Sequence, residues 1–96
     1  MKAKKPDESK LWKIGANYFI RTVTHHYTGR LVAVTDKELW LEDAAWIADD
    51  GRFAQAVASG TFSEVEPFPD GRRVAIGRGA VLDATTISFP LPRVQK

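Results

Sequence analysis

The chain contains no cysteine, which excludes disulfide bridges and thiolate metal sites and suits a reducing compartment. No apolar run reaches membrane-spanning length, and the opening stretch MKAKKPDESK lacks the hydrophobic segment of a secretory signal. These absences predict a soluble cytoplasmic protein with no membrane association. Ser9, Ser59, Ser63 and Ser88 sit in no Gly-x-Ser-x-Gly context, so the sequence offers no nucleophile elbow. Only two histidines are present, adjacent at His25 and His26. In one extended strand their rings would point to opposite faces and share no metal, and no third ligand lies near them in sequence.

Residues 1–96 with 44% hydrophobic content make one small globular domain. Its core is marginal, and subunit association is a natural source of further stability. The pI of 9.1 invites a nucleic-acid reading, but the basic charge is local. Residues 1–13 carry five lysines against two carboxylates, while the remainder holds nine basic against ten acidic residues. A long phosphate track needs a basic stripe, and the body does not supply one in its composition.

Residues 1–13 read as a flexible basic lead, 14–89 as the folded domain and 90–96 as an extended, proline-held arm. The stretch YFIRTVTHHYTGRLVAV, residues 18–34, is rich in β-formers. As one strand it would run roughly 56 Å at about 3.3 Å per residue, so it must turn. The turn is expected at His25-His26 or Thr28-Gly29, with arms near 18–24 and 29–34. ELWLEDAAWI follows as a strand with Leu39 and Leu41 on one face and Glu42 and Asp43 on alternate faces. ADDGRFAQAVASG predicts a short helix over about 52–59, with Asp49 or Asp50 as N-cap and Gly60 as terminator. TFSEVEPFPDGRR reads as an edge segment entering an Asp-Gly turn, and RVAIGRGAVLDATTISF returns to β with a bend at Gly77 and Gly79. The fold class expected is mainly β, a small strongly bent barrel of about five strands with one short helical insert.

Two fragments sharpen that expectation. TGRLVAVTDKELWLEDA resembles the first signature of Sm and Sm-like proteins, and VAIGRGAV resembles their second. The resemblance implies an Sm/SH3-like bent barrel whose subunits pair edge to edge and which binds RNA or nucleotides. The base-reading asparagine of that family has no counterpart here, where Leu39 and Trp40 stand, and a helix-bearing insert separates the signatures. From Tyr18 onward the chain is also similar to a family of small tailed-phage and prophage proteins, through RTVTHHYTGRLV, LEDAAWIADDGRF, EVEPFPDG, IGRGAVLDAT and PLPR. That likeness implies a bacterial host cell and a role in counter-defence, regulation or virion assembly.

The residues suited to non-covalent recognition are Arg21, His25, Tyr27, Arg30, Trp46 and Arg78, with Trp40, Arg72 and Arg73 in support. Arginine forks onto phosphate, and aromatic faces stack on bases. Against this, the arginines have many carboxylates to pair with, and a tryptophan more often fills a core or a subunit contact. Paired carboxylates at Glu42-Asp43 and Asp49-Asp50 read as structural. GRG at 77–79 opens no helix and is no phosphate loop. The expectation is a non-enzymatic, cofactor-free protein forming a homo-oligomer that binds a nucleotide second messenger or RNA, one version being the sequestration of cyclic nucleotide defence signals. The alternative is a structural or protein-partner role, docking a host or virion protein through FPLPRVQK or the lysine-rich lead.

Overall fold

In NYFIRT every second side chain is large and apolar, and so is the residue between, so this strand has to be covered on both faces. A computed structural model describes residues 11–96, and there this segment is β1 (Asn17–Thr22), paired with β2 (His26–Val34). The turn falls earlier than expected, at Val23-Thr24, with His25 closing it. Thr22 N–H donates to the His25 carbonyl at 2.8 Å, and the Thr22 hydroxyl accepts from His25 N–H at 3.0 Å. No residue of the turn has a positive φ, so it needs no glycine, and the hydroxyl bond steadies it. Gly29 makes no turn at all. It lies mid-strand opposite Tyr18, where an added Cβ would stand 3.0 Å from the Leu41 Cβ. A glycine inside a strand here marks a close backbone approach.

β3 (Glu38–Asp49) is twelve residues long and carries Leu39 and Leu41 into the core, as the alternation predicts. It is not one regular strand. Asp43 has φ 51°, and no other non-glycine residue among those described has a positive φ. Before this kink, Glu38–Glu42 pairs with β5 (Arg73–Gly77). After it, Ala45–Asp49 pairs with β4 (Glu64–Pro67). The kink also cancels the expected alternation of Glu42 and Asp43, and both carboxylates meet Arg30, at 3.1 and 2.8 Å.

Between β3 and β4 lies α1 (Phe53–Ser59), beginning one residue inside the expected span and ending at Gly60, which is left-handed with φ 78°. Neither Asp49 nor Asp50 caps it. The N-cap is Arg52 without a side-chain bond, while Asp49 accepts from Gly51 N–H at 2.8 Å and Asp50 faces His26. Each carboxylate has a tighter tertiary or turn partner than the helix end offers. After β5 a single 3₁₀ turn (Arg78–Ala80) takes up the bend expected at Gly77 and Gly79 and leads into β6 (Val81–Thr86), antiparallel to β1.

The fold is therefore mainly β, and the described residues form six antiparallel strands in one sheet with one short helix inserted between β3 and β4. The strand order is β4-β3-β2-β1-β6, with β5 on the other half of β3's edge, so the sheet is not closed into a barrel. A closing ladder would join β5 to β6, but the 3₁₀ turn sends them to different neighbours. Side chains bridge that gap instead. Ile76 of β5 sits in one buried cluster with Tyr18, Ile20, Leu31, Leu39, Leu41 and Ala44, on which Val81 and Ala84 of β6 also pack. The opposite face carries Phe19, Ala45 and Ile47, covered by Ala56 of α1 with Phe62, Val65 and Ile87. Phe19 and Phe62 stack with ring centroids 5.6 Å apart.

The arm after β6 has no regular structure, and it is anchored. Arg93 donates to the carbonyls of Ala44 and Phe68, each at 2.9 Å, and to the Asp70 carboxylate at 2.6 Å. Lys96 exchanges two backbone bonds with Val65 on the outer edge of β4. The expected lead falls mostly outside the described residues.

Two substitutions test this packing by urea denaturation. Gly29→Ala drives a methyl into Leu41, which is itself fully buried and tied to the backbone at its Cβ; it is expected to lower stability by about 1–3 kcal/mol. The hydroxyl of fully buried Thr28 has no hydrogen-bond partner, so Thr28→Val is expected to raise stability by about 1 kcal/mol. A neutral result for either contradicts the packing described.

Candidate functional site

Pairing parity sorts the candidate residues. Along β2 and β3, Tyr27 stands opposite Trp46 on the face that holds Ile20, while His26 stands opposite Ile47 on the face of Phe19. The two histidines therefore part, as they do when the chain is extended through them and not turned there. The His25 ring meets Trp46 edge-on at 5.3 Å and lies 6.2 Å from Tyr27. The His26 ring meets Phe19 edge-on at 5.7 Å and bonds the Asp50 carboxylate at 2.9 Å through Nδ1. That carboxylate is 24 residues away, which is why the local sequence did not show it. Among the described residues no group of three His, Asp or Glu side chains is placed to hold a metal.

Three of the predicted residues thus assemble: His25, Tyr27 and Trp46. The arginines do not join them. Arg21 lies on the other face, ion-paired with Asp83 of β6 and 4.7 Å above the Phe53 ring. Arg30 is held by Glu42 and Asp43, and Arg73 shares Glu42 at 3.2 Å. Arg78, in the 3₁₀ turn, donates to the Thr35 carbonyl at 2.8 Å. Arg21, Arg30, Arg73 and Arg78 are each bonded to an oxygen of this chain, while Arg72 is exposed beyond the Pro69 turn. These pairs hold the groups charged: the Arg30 bond pulls the Asp43 carboxyl below its ordinary value against the opposing pull of desolvation, and the Arg21 bond does the same to Asp83.

The aromatic trio continues into a groove that the sequence did not reveal. Trp46, Glu66, Pro67, Phe68 and Pro69 line a shallow cavity of about 200 Å³. Glu66 stands directly opposite Trp46 in the β3–β4 register. Trp46 is 38% exposed, a large value for an indole in the middle of a sheet. EPFPDG looked like an edge strand running into a loop, and its use as a wall depends on where β3 switches partners. The wall is braced. Phe68 N–H donates to the Ala44 carbonyl at 2.9 Å, and Arg93 ties the same carbonyl to that of Phe68. The arrangement is a rigid apolar trough with a carboxylate on one side. It offers stacking and proline contacts, and none of the predicted arginines lines it.

No helix among the described residues is long and apolar enough to cross a membrane. Comparison with known proteins finds no matching family model, no matching curated protein and no matching solved structure.

Asp43 gives the region a pH signature. Its carboxyl is pulled below the ordinary value of 3.8 in the folded protein, so the ion pair stabilises the fold above that value and is lost as pH falls through the lowered one. Asp43→Asn keeps a residue that tolerates the left-handed backbone and removes the charge. Stability curves from pH 7 to pH 2 are expected to fall less steeply at the acid end for this variant than for the native chain. Parallel acid limbs would show that the pair does not set them.

Proposed function

We propose that this chain is a binding module which takes an extended, proline-containing segment of a partner protein, bearing a basic residue, in the trough between His25, Trp46 and the Pro67–Pro69 wall. The observation that supports it is the union of an exposed indole, a phenylalanine and two prolines with Glu66 as the lining charge. Polyproline II segments arrive already ordered and dock on aromatic troughs at low entropic cost. A basic side chain on the segment meets the carboxylate of Glu66, and the Trp46 ring receives a proline or the cation itself.

The nucleotide reading draws on the same rings and needs free cations beside them for phosphate. Arg21, Arg30 and Arg78 stand elsewhere and are engaged within the chain. That difference in charge favours a peptide over a phosphate in this trough. It is also the runner-up expected from the sequence, with its dock moved from the arm and lead to the β3–β4 face.

Isothermal calorimetry decides between them. A proline-containing peptide with an arginine is expected to bind, a version with glutamate in its place to bind more weakly, and a panel of cyclic and linear nucleotides to give only heats of dilution. Trp46→Ala is expected to weaken the peptide by at least about tenfold and, since the ring is only 38% exposed, to lower stability by about 1–3 kcal/mol while the chain keeps its β-type circular dichroism spectrum. Heat from nucleotides alone, or peptide affinity indifferent to Trp46, removes the proposal.

A further inference from the structure

Among the described residues the sheet has three outer edges, and they are guarded unequally. β4 presents Glu64, Glu66 and Pro67, and its outer side already receives Lys96. β5 opens on Arg72 and Arg73. Charges and proline on an edge strand are the ordinary defence against pairing with another chain. β6, with the sequence VLDATT, has neither lysine nor proline. Its one charge, Asp83, is neutralised by Arg21.

The orientation of its free groups follows from the ladder. Ile87 N–H donates to the Asn17 carbonyl at 2.9 Å. In an antiparallel pair such residues recur every second position, so Asp83 and Thr85 also turn their backbone groups toward β1. Ala84 and Thr86 turn theirs outward. The register slips between Arg21 and Thr22, leaving Leu82 as the unpaired bulge residue, 66% exposed. Beside it Leu11, Trp12, Tyr18, Val81, Leu82, Asp83 and Ala84 border a largely apolar hollow of about 330 Å³.

We propose that β6 is a self-association edge, pairing antiparallel with β6 of a second copy across a two-fold axis, each copy's Leu82 resting in the hollow beside the other's Trp12. A two-fold axis perpendicular to an edge strand generates an antiparallel partner from the same sequence, so outward N–H and C=O groups meet their complements without further design. The near-neutrality of the strand supports the second copy as occupant, since the one charge of β6, Asp83, is already paired with Arg21 and no unpaired like charges meet along the strand itself. This surface lies away from the Trp46 trough, and the inference is independent of the peptide reading.

The test is sedimentation equilibrium of the full chain at micromolar concentration, with two variants. The native chain is expected at twice the 10.7 kDa chain mass. Ala84→Pro removes an outward N–H and leaves the β1 ladder intact; Leu82→Lys places a charge at an already exposed site. Both are expected at the mass of one chain with an unchanged β-type circular dichroism spectrum. Trp46→Ala is expected to remain at the double mass. Two outcomes overturn the inference: a native chain that sediments at single mass, and an assembly whose mass neither β6 variant changes. If Ala84→Pro loses its β spectrum, Leu82→Lys alone decides.

Discussion

The fold depends on one residue being allowed to sit where side chains rarely do. Asp43 occupies the left-handed region, a conformation that costs an ordinary L-residue roughly 1–2 kcal/mol, and its carboxylate is held by Arg30 across the neighbouring strand. The kink redirects β3 so that one strand edge serves two partners, β5 before it and β4 after it. It also frees the Ala44 carbonyl, which collects Phe68 N–H and the Arg93 guanidinium. Without it β3 would run straight with a single neighbour on that edge. The Pro67–Pro69 wall would then have nothing to lean on.

A sheet used on both faces follows from the same economy of length. Tyr18 and Ile20 belong to one cluster and Phe19 to the other, so three consecutive residues of β1 serve two separate cores. Each core is thin, and each is completed by something other than a strand. One is capped by the 3₁₀ turn that brings Ile76 and Val81 together, the other by α1 and the segment from Ile87 to Leu91. The insert between β3 and β4 is thus a lid on a sheet face, and in setting the position of β4 it also builds one side of the trough.

Much of this was legible where the cause is local. Leu39 and Leu41 alternate into the core because a strand has a period of two; Gly60 ends α1 because glycine accepts a positive φ. His25, Tyr27 and Trp46 come together as a cluster of rings, since all three lie near one end of a hairpin. What was not legible depends on distant partners. Nothing near Asp43 announces a kink, for its stabilising arginine is 13 residues away, and the Arg93 anchor on Ala44 spans 49 residues. The scatter of Arg21, Arg30 and Arg78 is a matter of register, where one step moves a side chain to the opposite face. Carboxylates, frequent in a near-neutral body, then claimed Arg21 and Arg30, and a backbone carbonyl claimed Arg78. The expected barrel stopped short of closure because a single tight turn separates the two strands that would have closed it.

Arg21 and Asp83 are 62 residues apart and join the earliest described strand to the latest. During synthesis, then, β1 waits with one edge bare until almost the whole domain has emerged. Loop closure over such a span is slow, and the intermediate shows the cell an apolar ribbon in the meantime. A nascent chain stalled before β6 would be a client for chaperones, and a domain whose first and last strands are mutual neighbours has little choice but to fold in one late, cooperative step.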